Sequence, residues 1–289
     1  MCGNQPSSRR RVDGVKVVTS AANFDFYTGT DAGGGTLYME MLYMEVLRGL
    51  PGIPYLYGAW SGEHRVSYVV KDCGAPIGLG PSGAGREPTV MSPAYTERAK
   101  QHPIRLARSL LACFQSWASA GYIQDDFKAQ QFTMDVSTGD IYLVDGPRAL
   151  YNSPLGRSMV RVWGDWRRKG LINADAPDAC ENDEDCPSTL DFHSCVPEES
   201  CPEGTRGAPE SKGECRDGAC VLISEKTHVF DSANRPWLLP FIAEKATGAE
   251  RDLLLTLIRH ASARQPEHRP SFAQMVDHLD RFEHQKRGN

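Results

Sequence analysis

Two carboxylates, Asp126 and Asp145, lie 19 positions apart in the stretch GYIQDDFKAQQFTMDVSTGDIYLVDGP, residues 121–147. Lys128 follows the first carboxylate by two residues and Gln131 by five. Two short apolar runs separated by Ser137-Thr138-Gly139-Asp140 lead to the second. This order suits phosphoryl transfer. One carboxylate orients an attacking hydroxyl, the lysine meets the transferring phosphate, and an amide oxygen ligates a metal ion. A β-hairpin then returns the second carboxylate to that ion. Asp126 is placed between a helix and a hairpin, which favours a catalytic base over a solvated loop residue. Asp145 ends a run of four apolar residues, and a carboxylate there suits a metal ligand.

The elements that must hold these groups follow from periodicity. Over residues 104–120, Ala107, Leu110, Leu111, Phe114, Trp117 and Ala118 share one face, and Gly121 stops the run. That predicts a buried helix directly ahead of Asp126. Residues 12–19 predict a strand with Lys16 inside it, and residues 36–50 a helix ended by Pro51-Gly52. Residues 55–59 and 66–70 predict two more strands. Residues 1–11 read as a disordered tail, and residues 20–35 and 75–95 as loops rich in glycine or proline. Beyond the hairpin, residues 155–179 contain a short helix with Trp163 and Trp166. Residues 227–246, 249–263 and 271–284 predict helices. Strands early and helices late give an α+β domain with a small lobe and a larger helical lobe.

Charge and cysteine are concentrated in one segment. Residues 180–220 hold 11 acidic and three basic side chains, or −8, which leaves about +3 for the rest of a chain of net charge −5. That balance argues against a nucleic-acid footprint outside the Arg9-Arg10-Arg11 run, which is expected to be a solvated tail rather than a binding patch. The same segment carries six of the nine cysteines: Cys180, Cys186, Cys195, Cys201, Cys215 and Cys220. No spacing is C-x-x-C and His193 is the only histidine nearby, so three disulfides are expected and zinc is not. Their pairing is open. Cys113 falls on the apolar face of the helix before Asp126 and is expected to be a buried thiol. Asp183-Glu184-Asp185 lacks the spaced oxygen ligands of a calcium loop and reads as a solvated acidic turn.

Three disulfides imply an oxidising compartment, either the lumen of the secretory pathway (endoplasmic reticulum or Golgi) or the cell exterior. Residues 1–14 offer no apolar segment of a signal peptide, and no run reaches the ~18–20 apolar residues of a membrane span. That conflict points to an N-terminally incomplete chain or to an unseen route.

Taken together, these residues resemble the protein-kinase fold. The nearest resemblance is to the divergent, cysteine-rich protein-kinase-like proteins of the endoplasmic reticulum and secretory pathway. It covers residues 12–289 without the cysteine-rich segment. Asp126-Phe127-Lys128-Ala129-Gln130-Gln131 is similar to the catalytic-loop pattern D-x-K-x-x-N, with Gln for Asn. Ile141-Tyr142-Leu143-Val144-Asp145-Gly146 is similar to the strand entering D-F-G. Gln265-Pro266-Glu267-His268-Arg269-Pro270-Ser271-Phe272 looks like the C-terminal signature, whose arginine pairs with a glutamate. Residues 227–239 resemble the divergent family's central helix, where Asp231 would brace the catalytic loop.

The resemblance implies a two-lobed fold. Residues 12–72 would form a partial, truncated N-lobe and residues 73–179 the first part of the C-lobe. Residues 180–220 would be a disulfide-rich insert and residues 221–289 the helical remainder. It implies ATP and Mg²⁺ or Mn²⁺ as cofactors. Asp126 would be the catalytic base, Lys128 the phosphate contact, and Asp145 and Gln131 the metal ligands. Lys16 would hold the nucleotide phosphates, with Glu40, or else Glu45, as its partner. Val70 and Asp72, within the hinge from Val69 to Gly74, would meet the adenine.

The expected activity is phosphoryl transfer from ATP to a hydroxyl of a protein or glycan in the secretory pathway. The alternative is a pseudokinase that binds partners through its helical lobe and its insert. Four departures favour that alternative. No glycine-rich loop precedes Lys16, Gln124-Asp125 replace His-Arg, Gln131 replaces Asn, and Gly146-Pro147 replace Phe-Gly. A disulfide-rich extracellular binding module is a third reading, but it leaves Asp145 and Arg269 without roles.

Overall fold

A computed structural model of the chain describes residues 8–12, 15–21, 41, 43–62, 65–79, 90–119, 122–123, 128–144 and 149–150. It further describes residues 180–182, 185, 188–190, 210–212, 214–216, 218–221, 225–263 and 268–288. The fold is α+β, with small antiparallel sheets and a group of helices.

The first sheet has four antiparallel strands in the order β1-β2-β4-β3. These are β1 (Ser8–Val12), β2 (Val15–Ala21), β3 (Leu56–Gly62) and β4 (Arg65–Lys71). β1 corrects the expected tail of residues 1–11, because Ser8 to Val12 pair with Thr19 to Val15. The sequence signal was Asp13-Gly14 between two valines, a dipeptide favoured in two-residue hairpins, which outweighs the basic run before it. Lys16 stands opposite Val70 of β4, and Val70 stands opposite Leu56 of β3. Val70 and Leu56 are buried. β3 is an edge strand whose register shifts between Leu56 and Gly58, and its Tyr57 and Trp60 are exposed.

Residues 43–46 are helical and bury Tyr43 and Met44, with Leu47 buried just beyond. The chain then turns through Gly52, at φ +74°, and presses against the second helix. A β-carbon at Gly52 would overlap Cys113, so only glycine fits this approach.

The central element is α2 (Pro103–Ser119), which follows α1 (Pro93–Gln101). The face predicted for residues 104–120 is the buried one, including Leu110, Leu111, Phe114 and Trp117. α2 packs against α3 (Glu225–Asn234), α4 (Leu239–Lys245) and α6 (Phe272–Gly288). Phe114 stacks on Phe272 of α6, with centroids 5.4 Å apart and planes at 9°. α5 (Gly248–Ala261) packs on α3 and α4.

Two expectations about elements are corrected. Residues 75–95 are not one loop. They contain β5 (Ala75–Pro76), β6 (Gly78–Leu79), β7 (Val90–Met91) and the start of α1. Ser92 caps that helix by accepting the Tyr95 N–H at 3.3 Å, and Pro93 opens it, a start signal hidden among glycines and prolines. The helix expected over residues 227–246 is broken between Asn234 and Leu239, around Pro236, into α3 and α4. The helix expected within residues 155–179 lies outside the described residues.

In the cysteine-rich segment, β12 (Ser188–Leu190) pairs with β13 (Glu210–Lys212), and β14 (Glu214–Arg216) pairs with β15 (Ala219–Val221). Cys215 stands opposite Cys220 in the second hairpin. Cys180 is disulfide-bonded, while Cys73 and Cys113 are buried and belong to no disulfide. Asp185 accepts the backbone N–H groups of Glu181 at 2.8 Å and Asn182 at 3.1 Å, and these bonds lower its pKa. This carboxylate closes a turn. Among the described residues no helix is long and apolar enough to cross a membrane.

Candidate functional site

The candidate site is framed by two strand pairs. β8 (Tyr122–Ile123) leaves the end of α2 and pairs with β11 (Ala149–Leu150), Ile123 opposite Ala149. β9 (Phe132–Met134) pairs with β10 (Ile141–Leu143), Leu143 opposite Phe132. Asp126 and Asp145 belong to the segments between these pairs and lie outside the described residues, as does Glu40. The frame on either side of them is described.

Lys128 precedes a 3₁₀ turn, Ala129–Gln131, and is exposed. Gln131 is 4% exposed, and its side-chain oxygen accepts the Lys128 N–H at 3.0 Å. Its own N–H bonds the Lys128 carbonyl at 3.0 Å, so the turn is closed twice. The Gln131 carbonyl accepts the N–H of Val144 at 2.8 Å. Val144 is the residue immediately before Asp145. The amide oxygen offered to a metal by the sequence is therefore also a backbone brace, with one lone pair committed.

Three contacts tie residues 43–71 to this frame. The Tyr43 hydroxyl donates to the Leu143 carbonyl at 2.9 Å. The Leu143 N–H donates to the Gly52 carbonyl at 3.1 Å. The Lys71 ammonium donates to the Tyr142 hydroxyl at 2.7 Å, which is the main cause of its raised pKa. At the end of β4, Val70 is buried, and the Asp72 carboxylate accepts the Gly74 N–H at 3.1 Å. Gly74 has φ +86°, and a β-carbon there would overlap the Met134 carbonyl. β5 follows at once and pairs with β9, which fixes the end of β4 to the hairpin.

The hairpin tip is held by Asp135. Its carboxylate accepts the Ser137 hydroxyl at 2.6 Å and the Ser137 N–H at 2.9 Å. The hydroxyl bond is the largest cause of its lowered pKa.

Beneath the frame, Asp231 of α3 is buried and ion-paired with Arg235 at 3.4 Å. Burial nevertheless wins and raises its pKa to about 6, against the opposing charges of Arg235, His228 and Arg269. Arg269 is 2% exposed. It donates to the carbonyls of Ala263 at 2.8 Å and Lys226 at 3.0 Å, and its guanidinium lies 4.6 Å from the Phe230 ring centroid. These contacts join α3 to the start of α6.

Among the described residues, no three His, Cys, Asp or Glu side chains gather into a metal-binding group. Of the two metal ligands expected from the sequence, Gln131 is described and Asp145 is not, and both would offer oxygen. Those are hard oxygen ligands of the kind Mg²⁺ or Mn²⁺ takes.

Sequence reasoning missed a second group of charged residues. Arg98 of α1 and Arg105 of α2 line a cavity of about 610 Å³ together with Lys71. Arg105 lies on the face of α2 opposite its apolar stripe, where an arginine reads only as solvated. No family model matches the chain, and no curated protein matches it in sequence.

Proposed function

We propose that the chain is a protein-kinase-like phosphotransferase, dependent on ATP and a divalent metal, with a protein or glycan hydroxyl as acceptor. The observation that carries this reading is the hydrogen bond from Val144 to the Gln131 carbonyl at 2.8 Å. With the pairing of Ile123 and Ala149, it brings the residues flanking the two acidic segments against one another. The order of elements supports it too. A lysine-bearing strand, a helical segment, two strands, a hinge, a long buried helix and a hairpin follow one another as the resemblance implies.

On this reading Asp126 orients the acceptor hydroxyl and takes its proton. Lys128 offsets charge on the transferred phosphate. Asp145 and the Gln131 oxygen hold Mg²⁺ or Mn²⁺, which supplies charge neutralisation when bound. Lys16 holds the nucleotide phosphates beside Glu40. Val70 and Asp72 belong to the hinge that receives the adenine. The test is thermal denaturation of the purified chain with ATP and Mg²⁺ or Mn²⁺, beside Asp145→Ala. A metal-dependent rise that the variant lacks supports the reading, and no rise with either metal refutes it.

The engagement of the Gln131 side chain by the Lys128 N–H favours a second reading, a pseudokinase that acts through partners. It keeps the fold and predicts no metal-dependent nucleotide shift. A secretory-pathway or extracellular location accompanies either reading. It requires that the six cysteines of residues 180–220 resist alkylation in the folded, non-reduced protein. Free thiols there would remove the location and leave the chemistry untouched.

A further inference from the structure

The cavity of about 610 Å³ is within the size range of small-ligand sites, roughly 300–1,000 Å³. Its walls come from residues 49–53, the α1–α2 pair, the β9–β10 turn and the last turns of α6. Lys128, Gln131, Val70 and Asp72 do not line it. It shares Lys71 with the hinge of that reading, while Arg98 and Arg105 have no part in the proposed phosphoryl transfer.

Five cations and three carboxylates line this space. The carboxylates are already engaged. Asp280 is paired with Arg108, Glu283 with Arg287 at 3.6 Å, and Asp140 accepts the Thr138 hydroxyl at 2.8 Å. Three cations, Lys71, Arg98 and Arg105, form no ion pair with any described residue.

Two of the three are held in place. Arg98 donates through Nη2 to the Thr138 carbonyl, and its buried Nε has no hydrogen-bond partner. Gly139 lets the backbone lie against that guanidinium, since a β-carbon there would overlap it. Lys71 is fixed by the Tyr142 hydroxyl at 2.7 Å, a bond that also favours its charged form. Arg105 projects from α2 and is exposed. Positive groups fixed around a concavity, with the local acids otherwise occupied, match a ligand whose charge is spread over several oxygens.

We infer that this cavity binds a small oxyanion ligand, a phosphate or sulfate ester, through Lys71, Arg98 and Arg105. The guanidinium forks of Arg98 and Arg105 grip the oxygens, and Lys71 adds a point charge.

The test is isothermal titration of the full chain in metal-free, low-salt buffer with inorganic phosphate, inorganic sulfate and a sulfated disaccharide. Metal-free conditions remove the metal's part in the proposed nucleotide site, and Arg105, which that reading does not use, reports on the cavity alone. At least one probe should saturate a single site, and raising the salt should weaken it. The stronger of the phosphate and sulfate arms identifies the ester. Arg105→Ala and Arg105→Glu should each weaken binding by roughly tenfold or more. Arg251→Ala, on an exposed position of α5 away from the cavity, should leave it unchanged. Arg98→Ala should weaken binding as well. If it fails to fold, the exposed Arg105 decides the matter alone. No saturable binding of any probe, or binding indifferent to Arg105→Glu, overturns the inference.

Discussion

Tyr43 and Leu143, 100 residues apart in sequence, are joined by a hydrogen bond of 2.9 Å from the buried tyrosine hydroxyl to the backbone carbonyl. The helical segment at residues 43–46 is thereby tied to the strand that enters the second acidic segment. Tyr43→Phe keeps the ring and removes only the donor. Stability should fall by about 1 kcal/mol, measured by urea unfolding. If the phosphotransferase reading holds, the metal-dependent nucleotide shift should shrink as well. A variant as stable as the parent would mean that water replaces the bond without loss.

Gln131 closes its own turn through its side-chain oxygen. Gln131→Leu has nearly the same length but cannot accept the Lys128 N–H. It should lose about 0.5–1.5 kcal/mol. Gln131→Asn is one methylene shorter and should fail to restore the bond, even though it restores the residue that the catalytic-loop pattern carries. Equal denaturation midpoints for parent and both variants would show that the brace contributes nothing.

Asp231 has a pH signature of defined sign. Its pKa stands at about 6 in the folded chain, against 3.8 for a free side chain, because burial disfavours the carboxylate. Between those values the folded form holds a proton that the unfolded form has released. The contribution of this group is full below the unfolded value and is lost as pH rises through the folded one. The stability difference between parent and Asp231→Asn should therefore move against the parent by roughly 3 kcal/mol from about pH 4 to about pH 6, then level off. Urea unfolding of both proteins across that range is the measurement. A flat difference would mean that the pairing with Arg235 offsets the burial.

Arg269 satisfies two carbonyls on separate segments while its guanidinium faces Phe230. Arg269→Ala should cost about 3 kcal/mol or more, since it strands buried acceptors and opens space beneath α3. Arg269→Lys should recover only part of that, because one ammonium cannot reproduce the planar fork. Both effects should appear as a lower thermal midpoint. An unchanged midpoint for the alanine variant would remove Arg269 from its structural role.

Legibility in the sequence varied with the range of the interaction. α2 was readable to within a residue because Leu110, Leu111, Phe114 and Trp117 repeat at helical spacing and all are buried. The hairpin of β9 and β10 was equally plain from its apolar runs and the Ser-Thr-Gly-Asp turn. β1 was hidden because three arginines look like a tail until Asp13-Gly14 is weighed as a turn. α1 was hidden because Ser92-Pro93 stands after a glycine-rich stretch that dominates any local average. At the site, the neighbourhood of Lys128 and Gln131 was readable from spacing. The bond between them depends on one rotamer, and no spacing encodes a rotamer. The grouping of Lys71, Arg98 and Arg105 draws on separate segments, so nothing local in the chain announces it.

Among the described residues, β1 and β3 are the outer strands of the four-stranded sheet, and an outer strand can recruit further strands from other molecules. On β3, the register shift between Leu56 and Gly58 interrupts a regular hydrogen-bonding row just where Tyr57 and Trp60 are exposed. On β1, the opposite edge, Arg9, Arg10 and Arg11 follow one another, so a second copy approaching in register would bring like charges together. Irregularity on one side and charge on the other make both outer strands poor templates for pairing with a second copy of this sheet.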